Sequence, residues 1–391
     1  MLKPKSKTKK RELKLLERCL KIARELLGQP AAPLMEDLPR AYIRAFVRAR
    51  PGLKLVEDRA GNMLVKLPGR AGRRPPLVLV AHLDHPGFHV EKASRSAARL
   101  AFKGGVAQAH AHSGLRVRFF NRGEAAPSGA GILAKIVCKR GRLAGAVARL
   151  SAGRPARGDF ALWDFPAFAL KNGAIVSRGC DDPLGAAAAL CVLDELCGST
   201  GFPACVYALF TRAEEFGFMG ALEAIRLKTV PKNARIVSLE CSKALADAPQ
   251  GGGVIVRVGD KAGIFAPHLT EALHRAAQHL AKTKRGFKSQ RKLMDGGTCE
   301  ATIFCAYGYQ ASGLAVPLGN YHNQGFTPRG VATIKPEHVK VADFFNEIQL
   351  LLELARNPAW LQEKPGLPEW VKVRAANACK ALGKEGLRLE T

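Results

Sequence analysis

Acidic residues are scarce in this chain: 33 Asp and Glu stand against 61 Lys and Arg, a formal net charge of +28 over 391 residues. Aromatic residues are few as well, at 7%. Basic clusters lie at Lys3 to Arg11 and Lys282 to Lys292. There is little aromatic interleaving around either cluster, and no nucleic-acid-binding motif is found. The excess charge then reads as a basic compositional habit or as steering of acidic ligands. No Cys-x-x-Cys pair occurs among the ten cysteines, which are scattered. Several sit in apolar runs, such as Cys191, Cys205 and Cys305. That excludes a disulfide scaffold and points to small buried thiols in a reducing compartment. No run is long enough to span a membrane, and no apolar signal core follows the basic N-terminus. The expected location is cytoplasmic, without membrane contact. Internal repeats and coiled-coil heptads are absent.

What the chain does have is a recurring pattern. The apolar run Ala204 to Phe210 leads through Thr211-Arg212-Ala213 into the adjacent pair Glu214-Glu215. Leu77 to Ala81 ends in His82-Leu83-Asp84, and Asn172 to Arg178 is followed by Asp181-Asp182. Ala234 to Leu239 ends in Glu240, and Gly313 to Pro317 precedes His322. Open α/β sheets place their sites at the carboxyl ends of strands. Strands of one sheet would therefore gather these five ends. Neighbours in extended backbone point to opposite sides, so Glu214 and Glu215 can hold different jobs, one binding metal and one handling a proton.

Two imidazoles and three carboxylates without a thiolate suit zinc, with cobalt or manganese as alternatives, as a hydrolytic pair. Two metals about 3.5–4 Å apart need a bridging ligand. Asp181 is the candidate bridge, with Asp182 beside it as an orienting group. Asp84, two residues beyond His82, is placed to accept the other imidazole N–H. Its alternative is a turn carboxylate before Pro86-Gly87.

On these residues the sequence resembles the dinuclear metal aminopeptidases of the tetrahedral-aminopeptidase or glutamyl-aminopeptidase type, within the zinc-dependent exopeptidases. The matching stretches run from Ala81 to Phe88, Arg178 to Gly185 and Glu214 to Ala221, then through Gly296-Gly297-Thr298 and Val316 to His322. The resemblance spans most of residues 40–355. It implies that His82, Asp181 and Glu240 bind one metal and Asp181, Glu215 and His322 the other. It makes Glu214 the general base, which deprotonates the attacking water and protonates the leaving amine. Some positions depart from the family pattern. Glu240 stands where the tetrahedral type usually has Asp, and Pro183 where Arg is usual. Cys299-Glu300-Ala301 replaces Asp-Ala after Gly-Gly-Thr, and Leu318-Gly319-Asn320-Tyr321 replaces x-Arg-Tyr before the last His. The ligands survive, and the departures fall on the substrate side.

The expected fold is a three-layer α/β domain with a mixed sheet and an inserted small β-barrel-like domain. Roughly 100 residues separate His82 from Asp181, far more than one crossover needs. Short strand-like runs such as Leu115 to Phe120 and Ile132 to Val137 lie between them. The expected division is 1–90 plus 169–356 for the catalytic domain, 91–168 for the insert and 357–391 for a loosely packed tail. Helices are expected at Arg11 to Leu27, Pro183 to Leu196, His268 to Ala281 and Lys335 to Leu354. The resemblance implies that the insert serves homo-oligomer assembly. The reading is a metallo-aminopeptidase acting on short peptides. A deacylase of small N-acyl compounds with the same centre is the alternative, and a non-catalytic relative used for assembly or binding comes third.

Overall fold

The computed structural model describes residues 5–69, 75–199, 203–362 and 369–381. Its centre is an eleven-stranded mixed sheet. Four neighbouring strands, Val206–Thr211, Leu77–His82, Arg235–Lys243 and Gln310–Gly319, run parallel. Each is almost continuously buried, as expected for strands covered on both faces. Alternate residues divide between the two faces. Leu77, Leu79 and Ala81 enter one core, with the helices Lys5–Leu27, Pro183–Cys197, Pro267–Thr283 and Val341–Arg356. Val78 and Val80 enter the other, under Met219–Arg226 and Glu300–Ala306. These are the three layers the sequence implies.

The helix Pro183–Cys197 is buried along most of its length, which its Ala-rich stretch 186–189 permits by letting neighbours approach closely. Pro183 opens it, and the Asp182 carboxylate accepts the Gly185 N–H at 3.2 Å as its N-cap. This cap pins the helix start directly behind Asp181. The Asp181–Asp182 peptide is cis.

Six strands between Gly87 and Trp163 close into a barrel. The expected boundary at residue 91 falls inside its first strand, Gly87–Ala93. The barrel has its own core, in which Phe88 meets Phe102 and Trp163 edge to face.

One expected helix is shorter than the sequence suggested. Residues Glu337–Lys340 form a strand, and the helix starts at Val341. That strand closes the gap between Gln310–Gly319 and Ala174–Ser177, so sheet pairing overrides the helical pattern there. The expected tail contains the short turn Pro358–Leu361 and the helix Glu369–Ala381; residues 363–368 and 382–391 lie outside the described residues. The cysteines whose side chains are described are all free. Among the described residues no helix is long and apolar enough to cross a membrane.

Candidate metal centre

The sheet delivers each sequence-predicted residue to one place. His82 is the last residue of its strand, and Thr211, opposite it in register, leads to Glu214 and Glu215. Glu240 lies inside Arg235–Lys243, three residues short of its end. Asp181 sits between the strand Ala174–Ser177 and the helix Pro183–Cys197. His322 sits in a tight turn, with itself, Asn320 and Asn323 all at positive φ. His82, Asp181, Glu240 and His322 are buried. Asp181 faces both rings: Oδ1 lies 3.6 Å from His82 Nε2 and Oδ2 lies 3.5 Å from His322 Nε2. Glu215 reaches His322 Nε2 at 2.9 Å, and Glu214 Oε2 is 3.8 Å from His82 Nε2. Donor atoms of His82, Asp181 and Glu240 lie within 4.8 Å of one another, as do those of Asp181, Glu215 and His322. A third group, His82, Glu214 and Glu215, overlaps both.

Each imidazole is oriented by its far nitrogen. His82 Nδ1 donates to the Asp84 carbonyl at 3.0 Å, and His322 Nδ1 donates to the Gly105 carbonyl at 2.8 Å. These bonds assign a proton to Nδ1 and turn the Nε2 atoms toward the carboxylates. The Asp84 side chain does something the sequence did not suggest. Its carboxylate is 3.6 Å from His82 Nδ1, and it instead accepts the backbone N–H groups of Glu214 at 3.0 Å and Glu215 at 3.1 Å. The strand ends at His82, so the chain turns and Asp84 no longer lies on the extended face shared with the ring.

Several supporting residues went unread. Glu36 is fully buried and accepts from Ala213 N at 3.0 Å, Leu34 N at 2.7 Å and Arg212 Nε at 2.8 Å. It thereby fixes Ala213 in the left-handed backbone conformation that swings Glu214 into the site. Glu337 accepts the N–H groups of Cys180 at 2.6 Å and Asp181 at 3.1 Å. His85 Nδ1 donates to the Asp181 carbonyl at 2.6 Å, and its Nε2 faces Asn323 Oδ1 at 3.0 Å. Glu36 and Glu337 are isolated polar residues far in sequence from Ala213 and Asp181, and although His85 stands in the Ala81–Phe88 stretch, no spacing pattern marks any of the three as a support.

The electrostatics show an excess of negative charge. Burial raises the Glu214 pKa well above the ordinary range; Glu215, Glu240 and Asp84 add to this, and His82 opposes it. Burial also takes Glu240 to about 7, against Arg257 and His82. For His82, burial disfavours the charged ring, but Glu214, Asp181 and Asp84 outweigh it and raise the pKa well above ordinary. For Asp181, burial works upward and is overcome by His322 and His82, which hold its pKa down. Asp181 Oδ1 is buried without a hydrogen-bond partner. Burial pushes the neighbouring thiols of Cys180 and Cys241 up, and neither belongs to these donor groups. Carboxylates and imidazole nitrogens converging on a surplus of negative charge are the donor chemistry of a divalent metal.

Residues 155–331 match the model of the M42 glutamyl aminopeptidase family, which bears out the resemblance drawn from the motifs. No curated protein matches the chain. Among solved structures, an aminopeptidase from the archaeon Desulfurococcus kamchatkensis superposes with a TM-score of 0.72 at 19% identity, covering 90% of this chain and 99% of its own. The TET1 peptidase of Pyrococcus horikoshii, described as assembling into a tetrahedron or a large octahedral shell, gives 0.68 at 19% identity, with 86% and 99% covered. An M18-family aminopeptidase from Thermotoga maritima gives 0.59 at 14% identity, with 87% and 96% covered. At these identities the structures share the fold.

Proposed function

We propose that this chain is a metal-dependent aminopeptidase that removes the N-terminal residue of short peptides with a dinuclear centre and a glutamate base. The observation that carries the reading is Asp181, whose two oxygens face different imidazoles at 3.6 and 3.5 Å. His82, Asp181 and Glu240 would hold one divalent ion, and Asp181, Glu215 and His322 the other. Zinc is the first choice, with cobalt or manganese next. When bound, such ions polarise the scissile carbonyl and make water a nucleophile near neutral pH. Glu214 accepts the proton of the attacking water and returns it to the leaving nitrogen. A general base positioned within reach of the water and the leaving nitrogen can serve both halves of that transfer. Asp84 holds the backbone of Glu214 and Glu215, so base and ligand move as one unit. The Tyr321 ring stacks on His322 at 3.9 Å and restrains its tilt.

A deacylase of N-acyl amino acids would use the same centre. One observation favours keeping it as the second reading: Arg257 is buried, lines the pocket and leaves its Nε without a partner, so it suits a carboxylate. The deciding experiment reconstitutes the protein with zinc, cobalt or manganese, measures bound metal, and assays aminoacyl amides, short peptides and N-acyl amino acids. Metal near two equivalents with turnover of free-amine substrates supports the aminopeptidase. Turnover of blocked substrates alone selects the deacylase. Only trace metal after reconstitution, or no turnover of either class, sinks the hydrolase.

A further inference from the structure

The centre stands between two openings. One is a small pocket of about 100 Å³ lined by Glu240, Arg257, Leu245 and Met294, among others. The other is a wider cleft of about 880 Å³ that reaches the barrel. Glu214, Glu215, Tyr321 and residues 296–298 line both. The reacting bond of a peptide therefore lies at these shared residues. A single N-terminal residue fits the small pocket, and the continuing chain leaves through the wide cleft.

Three exposed cations from separate segments line that cleft: Arg140, Arg142 and Lys261. Among the described residues, none of the three is ion-paired. Glu214 and Glu215 line the same cleft but form no ion pair with these cations; they face the two imidazoles instead. Each cation has a fixed base. Arg140 and Gly141, at φ 50° and 74°, form the two-residue turn between the strands Gly129–Lys139 and Arg142–Gly153. Asn or Asp is the usual first residue of such a turn, so an Arg is held there against local preference. Arg142 is anchored by a backbone bridge to Ala107. Its Nη1 lies 3.6 Å from the point where a Gly105 side chain would begin, and His322 Nδ1 lies 3.4 Å from the same point. The guanidinium is thus about one small side chain away from the His322 ring. Lys261 donates its backbone N–H to the Gly297 carbonyl at 3.0 Å, which ties it to the loop shared by both openings. Unpaired like charges gathered at the rim of a cleft attract anionic ligands.

We propose that the wide cleft is a subsite for carboxylates downstream of the scissile bond. It would select peptides with acidic side chains at their second or third residue, or short peptides whose free C-terminal carboxylate falls there. The proposal rests on the aminopeptidase reading, which places the leaving chain in this cleft. The test compares kcat/KM of the metal-reconstituted full chain on three substrates. Ala-Ala-Ala-Ala amide is neutral downstream, Ala-Glu-Glu-Ala amide carries side-chain carboxylates only, and Ala-Ala-Ala acid carries a terminal carboxylate only. We expect at least one anionic substrate to be favoured about tenfold at low ionic strength, with the preference shrinking toward about 0.5 M salt. Which one is favoured identifies the source of the carboxylate. In the double variant Arg142→Gln, Lys261→Gln the anionic-to-neutral ratio should fall at least about fivefold, and in Arg140→Gln by less. Equal kcat/KM for all three substrates in wild type, or a preference unchanged in the double variant, overturns the subsite alone. No turnover of the neutral amide or of either anionic peptide overturns the aminopeptidase reading and the subsite with it.

Discussion

In the barrel, Phe88 meets Phe102 and Trp163 with ring centroids 4.8 and 5.0 Å apart, edge to face, in a closed apolar core. At the carboxyl ends of the large sheet, burial surrounds carboxylates instead. Asp181 and Glu240 are buried there, and Glu214 is held at a raised pKa. The barrel interior follows the ordinary rule of burying apolar surface. The strand ends break it, because buried like charges destabilise a fold unless a cation joins them. The contrast teaches where this chain places stability and where it places chemistry. Substitutions in the two regions should therefore fail in different ways.

The largest expected effect is on turnover. Glu214→Gln keeps the shape of the side chain and removes the proton acceptor. Its kcat should fall about 10²–10⁴-fold with bound metal unchanged. Its thermal midpoint should stay level or rise, because a buried like charge has gone. Wild-type activity in this variant on the best substrate found would remove the proposed mechanism. Phe119→Ala in the barrel should do the reverse. Phe119 is fully buried in the barrel core, on the strand Arg116–Phe120. Truncating it should cost about 3–5 kcal/mol in denaturant titrations. A loss under about 1 kcal/mol would mean that the barrel core tolerates a cavity.

The same contrast governs what the sequence disclosed. Strand ends were legible because apolar runs end in, or just before, a His or a carboxylate, so His82, Asp181, Glu214, Glu215, Glu240 and His322 could be picked out. The three layers were legible from the alternation of such runs with helical periods. Less visible were contacts that only the closed fold creates. Glu36 looks like a surface residue beside Asp37, yet it grips Ala213 across the sheet. Glu337 lies in a stretch that reads as helix and becomes a strand because two others need a partner. In the barrel, register shifts between Ala130 and Gly131 and between Leu133 and Lys135 break the strict alternation that pattern reading depends on.

Metal binding gives the next effect in size. Asp181→Ala should weaken both ions, whereas Glu215→Gln should weaken one and respond to added metal. Isothermal titration with zinc checks both, and equal stoichiometry in all three proteins would contradict the bridging role. The barrel also carries the assembly expectation: residues 91–168 should mediate self-association. Light scattering that finds a monomer at micromolar concentration would count against it.

The smallest effect separates holding a residue from using it. Asp84 touches no proposed substrate atom; it accepts the N–H groups of Glu214 and Glu215 with one oxygen each. Asp84→Asn keeps one acceptor and turns an amide N–H₂ toward the other backbone N–H. One of the two glutamates then loses its anchor while both ligand sets remain complete. Loss of an outer-shell partner typically costs about 10–100-fold in metal affinity or activity, and here the lower end is expected because one bond survives. The Asn variant should bind two equivalents of metal and turn over about tenfold more slowly, with KM little changed. Asp84→Ala, which removes both bonds, should fall further. If both variants match wild type in kcat, the pair is positioned by the Glu36–Ala213 turn alone, and the role given to Asp84 is wrong.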